Sequence, residues 1–179
     1  IAEREVGAVA EAVITIPANF MQEARDATMQ AAKRAGLDVK FIINEPTAAA
    51  LYYGYKAGGK LAGNYVVYDL GGGTFDVSIV GIDGDNIEVL ATEGVSKLGG
   101  DDFDKALRDI AKRKFADLTG NQVDDNLLPL SEMAKVKIKL TDREKTPFMI
   151  DGEIVEITRA EFDEEISSLV NQAELLCET

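Results

Sequence analysis

The chain has 179 residues, 46% of them hydrophobic, with 19 Lys or Arg against 32 Asp or Glu and a formal charge of −13. That length holds one domain or two small ones, and the acidic balance without a dominant basic cluster argues against binding nucleic acid or an anionic membrane through a broad surface. There is no histidine and Cys177 is the only cysteine, which excludes an internal disulfide, Ser-His or Cys-His nucleophiles and the common zinc sites.

Ala12–Ile16 is a short β-rich apolar run ending at Pro17, consistent with a buried strand. Asn19, with Gln22 three residues on, predicts a capped helix to about Ala35, stopped by Gly36. Val39–Asn44 reads as a second buried strand, and Pro46 opens an alanine-rich helix over Thr47–Tyr55 that ends at Gly58-Gly59. Strand, helix, strand, helix is α/β patterning with a partly parallel sheet. Lys56–Gly63 is a linker and a plausible boundary.

Two apolar runs follow, Tyr65–Leu70 and Phe75–Ile82, with three consecutive glycines between them. They predict antiparallel strands joined by a tight turn that glycine tolerates best. A second hairpin turn, Asp83-Gly84-Asp85-Asn86, returns into Ile87–Thr92. Leu98-Gly99-Gly100-Asp101-Asp102 closes a loop and caps an amphipathic helix from about Asp102 to Leu118. After a polar connector, Gly120–Asn126, a helix runs from Leu130 to about Lys139. A small β unit comes next: Phe148–Ile150, the turn Asp151-Gly152, and Ile154–Ile157. Thr158-Arg159-Ala160-Glu161 is a capping box that starts a last helix through Cys177, whose thiol is expected to be partly buried.

The most informative stretch is Asp69–Ser78, Asp-Leu-Gly-Gly-Gly-Thr-Phe-Asp-Val-Ser. Without Cβ atoms, the backbone N–H groups of such a turn can approach an anion and cradle it. Asp69 and Asp76 flank the turn with Thr74 beside it, and paired acids can hold a hard divalent cation directly or through water. Glycines, hydroxyl and acids together suit a nucleoside triphosphate with Mg2+. Strand alternation puts Thr74, Asp76 and Ser78 on a polar face and Phe75, Val77 and Ile79 toward a core. No Lys-Ser/Thr pair follows the glycines as in a Walker A loop, and they lead into a strand, unlike the dinucleotide fingerprint. The alternative is a hairpin turn with solvated acids at its ends.

Four blocks carry a resemblance: Val13–Phe20, Ile43–Leu51 (Ile-Asn-Glu-Pro-Thr-Ala-Ala-Ala-Leu), Asp69–Ser78 and Leu98–Asp104, in that order. They closely resemble the ATPase domain of the seventy-kilodalton heat-shock chaperones of the DnaK type. Beyond about residue 105 the likeness thins to Glu132–Lys135 and Ile157–Ala160. The resemblance implies an α/β, actin-like ATPase (ribonuclease H-like) fold with ATP between two lobes. Residues 1–62 would be the C-terminal part of lobe I, 63–118 the core of lobe II, and 119–179 the subdomain at its tip. The start at Ile1 and the end at Thr179 within a helical pattern lead us to expect a piece of a longer protein, inactive by itself.

By this resemblance Gly71, Gly72, Gly73 and Thr74 contact the β- and γ-phosphates. Asp69 positions Mg2+ and the attacking water, Asp76 is a second acid associated with Mg2+ or K+, and Glu45 orients the hydrolytic water. A solvated helix-start carboxylate is the duller reading of Glu45. Pro17 and Arg25 match a nucleotide-state switch, where a strand-ending proline and a solvated charge are the alternatives. Glu132 and Lys135 match positions that clamp adenosine, against an exposed i,i+3 ion pair, and Lys139 stands where a serine usually meets the base, from which a lysine can still reach the ribose or the ring face. Val136 replaces an arginine that many members place over the base, and Phe41 replaces an arginine that engages the J-domain co-chaperone. The implied activity is Mg2+-dependent ATP hydrolysis, on ATP and ADP with K+ as an optional further cation. It would drive the peptide grip of a separate substrate-binding domain on unfolded polypeptide, with a J-domain co-chaperone and a nucleotide exchange factor as partners. A cytoplasmic setting is expected from the single cysteine, and no membrane span is expected. A chaperone-like nucleotide sensor, or another actin-like ATPase such as a filament former or sugar kinase, stays open.

Overall fold

The computed structural model describes residues 4–5, 7–59, 61–84 and 86–178; Lys60 of the expected linker and Asp85 of the second turn lie outside the described residues. The chain divides into two compact units, Ile1–Asp69 with Asp76–Gly94, and Leu70–Phe75 with Val95–Thr179.

In the first unit β1 (Glu11–Ile16) and β2 (Asp38–Asn44) pair in parallel, Ile14 beside Ile42. A parallel pair needs a crossover, which α1 (Gln22–Arg34) supplies. Helix α2 (Glu45–Lys56) begins directly after β2 with Pro46 in its first turn, where the missing N–H is harmless. Gly58 and Gly59 follow with positive φ, and the Gly59 N–H closes onto the Gly54 carbonyl, the left-handed ending that glycine favours. Strands β3 (Ala62–Leu70), β4 (Thr74–Asp83) and β5 (Asn86–Ser96) form one sheet in that order. Their short connections allow only antiparallel neighbours. Ala50 of α2 packs with Val80 and Ile82 of β4, flanked by Leu61, Tyr65, Val67 and Ile87.

Three expectations fail in this unit. Strands β1 and β2 are not buried on both faces: along β1, Ala12, Ile14 and Ile16 turn inward while Val13 is open. Val13 and its cross-strand neighbour Phe41 are 57% and 67% exposed. Along β4 Phe75 is fully buried as expected, but beyond it Ser78, Val80 and Ile82 are the buried residues and Ile79 is exposed. Apolar residues occupy both faces of that strand, so alternation alone does not say which face a helix covers. Ser78 is accommodated by a 2.9 Å hydroxyl–hydroxyl bond with Thr92 of β5. Asn19 does not cap α1. Met21 holds the cap position without a side-chain bond, and the Asn19 amide is engaged elsewhere.

The second unit is built on α3 (Gly100–Thr119), a 3-10 turn (Asp125–Leu127), α4 (Leu130–Asp142), the hairpin of β6 (Lys145–Ile150) and β7 (Glu153–Thr158), and α5 (Arg159–Glu178). Helix α3 contributes Leu107, Ile110, Ala111 and Phe115 to a core, a helical stripe that meets Met133, Val136 and Leu140 of α4, Ile150, Val155 and Ile157 of the hairpin, and Phe162 of α5. Asp151 and Gly152 both have positive φ, the two-residue turn whose twist suits a hairpin. The capping box forms as read: the Thr158 N–H donates to Glu161 Oε2 at 2.9 Å, and the Glu161 N–H donates to Thr158 Oγ1 at 3.2 Å. Cys177 is exposed rather than partly buried; the inward positions of α5 are Phe162 and Ala173. No described helix is long and apolar enough to cross a membrane.

Candidate functional site

The glycine turn lies in the second unit. The Gly71 N–H bonds the Thr74 carbonyl at 2.8 Å and closes it. None of Gly71, Gly72 and Gly73 adopts left-handed backbone; the positions where a side chain would crowd are Gly71 and Gly99. A Cβ at Gly71 would lie 3.3 Å from the Thr74 carbonyl oxygen, and one at Gly99 only 2.5 Å from the Gly72 carbonyl oxygen. That closeness lets the start of α3 bind the turn. Gly100 N–H donates to Gly71 O at 2.9 Å, Asp101 N–H to Gly72 O at 2.7 Å, and Lys97 N–H to Gly73 O at 2.9 Å.

The three loop carbonyls therefore turn toward one side. In a planar trans peptide the N–H points opposite the carbonyl, so the Gly72 and Gly73 N–H groups face away from the start of α3. No described group accepts from either of them. Both residues are exposed, and a Cβ at Gly73 would touch nothing within 4 Å. The result is a pair of exposed N–H donors without a described protein partner on a glycine bend, the kind of arrangement that can receive an anion, with the Asp101 carboxylate beside Gly72. The sequence showed the glycines and Leu98-Gly99-Gly100-Asp101-Asp102 separately; that the second run holds the first was not legible.

The acids lie in the first unit. Glu45 is the first residue of α2, Asp69 is near the end of β3, and Asp76 is near the start of β4. Burial, then the charges of Asp69 and Asp76, push the Glu45 carboxyl up from its ordinary value. Burial and the Asp69 charge push Asp76 up too, against a hydrogen bond from Asn19 that pulls it down. Asn19 Nδ2 donates to Asp76 Oδ1 at 3.2 Å, and Gly94 lies so close to both that a Cβ there would collide with Asp76 and sit 2.9 Å from Asn19 Nδ2. Asn19 is the residue sequence reasoning missed, because its spacing from Gln22 satisfied the capping rule.

Glu45 and Asp76 thus lie where burial and neighbouring negative charge disfavour their ionisation, a situation that a nearby cation relieves. Among the described residues no three acids converge closely enough to cage a metal unaided. The donors present fit Mg2+, which keeps several waters and takes one or two carboxylates with phosphate oxygens.

Arg25 is no solvated charge. Its Nε donates to the Phe20 carbonyl at 3.0 Å and its terminal nitrogen to Asn44 Oδ1 at 3.1 Å. Phe20 N–H in turn closes a turn onto the Pro17 carbonyl at 3.2 Å, so one guanidinium ties the turn after Pro17 to the residue before Glu45. On α4, Lys135 Nζ meets Glu132 Oε1 at 2.6 Å in an exposed i,i+3 pair, and Lys139 is exposed further along. Val136, which stands where many members of the resembled family carry an arginine, is 2% exposed in the core of its unit. An inward helix position presents no side chain to a surface ligand.

The family model described as Hsp70 protein matches residues 1–179. The chaperone protein HscA of Salmonella paratyphi B (strain ATCC BAA-1250 / SPB7) is 46% identical over 167 residues, covering 92% of this chain and 26% of that protein. The HscA proteins of Salmonella newport (strain SL254) and Salmonella heidelberg (strain SL476) match to the same extent. The chain thus spans about a quarter of the length of these curated relatives. With a mixed α/β architecture consistent with the actin-like ATPase fold of that family, the chain belongs to the Hsp70 family.

Proposed function

We propose that this chain contributes the phosphate- and metal-binding elements of an Mg2+-dependent ATPase in a chaperone. The observation that carries the reading is the glycine bend, whose carbonyls are tied to Lys97 and the start of α3 while the Gly72 and Gly73 N–H groups have no described partner. Those donors, with the Thr74 hydroxyl, would hold the β- and γ-phosphates; Gly71, expected among the contacts, gives its N–H to the Thr74 carbonyl and would serve only to close the turn. Asp69 and Asp76 would hold Mg2+ through water, K+ being an alternative ion at Asp76, and Glu45 would orient the attacking water. Bound Mg2+ supplies neutralisation of the charge that develops on the transferred phosphoryl group. Such a reaction needs positioning and electrostatics, without a covalent side-chain step, in keeping with a chain without histidine.

Residues 1–62, 63–118 and 119–179 are assigned to the end of lobe I, the core of lobe II and its tip. Pro17 and Arg25 would report nucleotide state to a peptide-binding domain that grips unfolded polypeptide. Asn44 joins them on the geometry above. A J-domain co-chaperone and an exchange factor are the partners this reading calls for, in the cytoplasm. Phe41, 67% exposed, would offer the former an apolar contact in place of a cation.

The alternative is a nucleotide sensor with little turnover, which the departures at Val136, Lys139 and Phe41 keep open. Single-turnover hydrolysis by the full-length protein separates the two readings. Phosphate release, accelerated by unfolded peptide, supports the ATPase. Tight ATP binding without release supports the sensor, and no ATP binding rejects both.

A further inference from the structure

Lys137 is the residue the site does not yet explain. It sits on α4, 37 residues from Gly100 in sequence, and its Nζ donates to the Gly100 carbonyl at 2.8 Å. The same ammonium lies 2.7 Å from Asp104 Oδ1, in the first turns of α3. Asp104 is 5% exposed, and among the described residues its Oδ1 has no hydrogen-bond donor, so the ammonium meets it as an ion pair. A cation at a helix N-terminus opposes the helix dipole, so Lys137 is not there to suit α3 alone. What stands on the far side of Gly100 is the glycine bend: its own N–H donates to Gly71 O, and the next N–H donates to Gly72 O. A Cβ on Gly100 would lie 3.3 Å from Lys137 Nζ and 3.7 Å from the Gly71 carbonyl oxygen.

We propose that Lys137, held by Asp104, is a positioning residue for the phosphate-binding bend. The ammonium fixes the Gly100 carbonyl, which sets the first peptide planes of α3. Those planes hold the Gly71 and Gly72 carbonyls, and so aim the Gly72 and Gly73 N–H groups. This rests on the phosphate-binding reading of that bend and adds to it a residue on a different helix. With the pair removed, the bend stays in place but its donors are no longer aimed. The loss then falls on ligands that carry phosphates and spares the nucleoside.

The test uses the full-length protein, with ATP and adenosine as probes, binding by calorimetry and thermal unfolding in parallel. Lys137→Met alone leaves a buried carboxylate unpaired, so the informative variant is the double Lys137→Met, Asp104→Asn, which is neutral and of similar size. The expected result is a melting temperature close to wild type, unchanged adenosine affinity, and ATP affinity lower by about tenfold, or about 1.4 kcal/mol. Lys137→Arg keeps a cationic donor and should retain the wild-type preference for ATP. A structural role alone would lower the melting temperature and leave the ratio of ATP to adenosine affinity untouched. An unchanged ratio in the double variant, or loss of the preference in Lys137→Arg as well, overturns the proposal. A wild-type protein that itself binds ATP no better than adenosine would remove the phosphate-binding reading, and this one with it.

Discussion

Glu45 and Asp76 sit where ionisation is disfavoured by burial and by neighbouring charge, so neutralising one of them should stabilise the nucleotide-free protein while harming the chemistry. An acid whose folded pKa is raised contributes most to stability below its unfolded value, and that contribution is lost as pH rises through the folded value. Glu45→Gln should therefore raise the melting temperature at pH 7 by about 1–2 °C, from about 0.5 kcal/mol after allowing for solvent screening, and change nothing at pH 3. Hydrolysis should slow by at least about a hundredfold; a variant that melts lower at pH 7 would contradict the charge-repulsion account. Glycines of the bend should separate in the same way. Gly73→Ala meets open space and should leave stability unchanged while weakening ATP binding. Gly99→Ala drives a methyl into the Gly72 carbonyl and should cost about 1–3 kcal/mol in denaturant unfolding.

Helix α5 is the element whose start can be read most completely. Burial pushes Glu161 up, but the Lys114 ammonium with the Thr158 hydroxyl and N–H overcomes this and takes it down to about 2. Stability from an acid with a lowered pKa is present above the unfolded value and lost as pH falls toward the folded one. Glu161→Gln should thus cost about 1 kcal/mol at pH 7, screening included, and nothing near pH 2. Thr158→Ala should cost about 1 kcal/mol, both measured by urea titration. This box was legible because its four residues are consecutive and its bonds local. The hairpin turn at Asp151-Gly152 and the apolar stripe of α3 were legible for the same reason. Periodicity did not show which face of β4 is inward, because that depends on where Ala50 of α2 comes to rest. Sequence gave no sign of Asn19 meeting Asp76, 57 residues away, or Arg25 meeting Asn44. Asn19 satisfied the capping rule and Arg25 read as a solvated helix charge, and each local explanation hid the long-range contact.

At the scale of the molecule the two units are unequal. The second has a continuous core from three helices and a hairpin, while the buried cluster of the first is Ala50, Val80 and Ile82. Amide exchange should be slowest in α3, α4 and β7 and faster in β1 and β2, whose outer face is open; equal protection would mean that the units unfold as one. The 179-residue chain alone should show no steady-state phosphate release, since the proposed ATPase draws on parts of the fold it does not contain. Turnover by the isolated chain would refute that assignment. The carbonyls of Gly71, Gly72 and Gly73 are hydrogen-bonded within the chain itself, which, on the proposed reading, has a consequence for how a nucleotide arrives. Ordering of that segment is completed during folding, so the incoming anion displaces water and little else. Capture should then be fast, with a small entropic penalty, and the loaded and empty bends should superimpose.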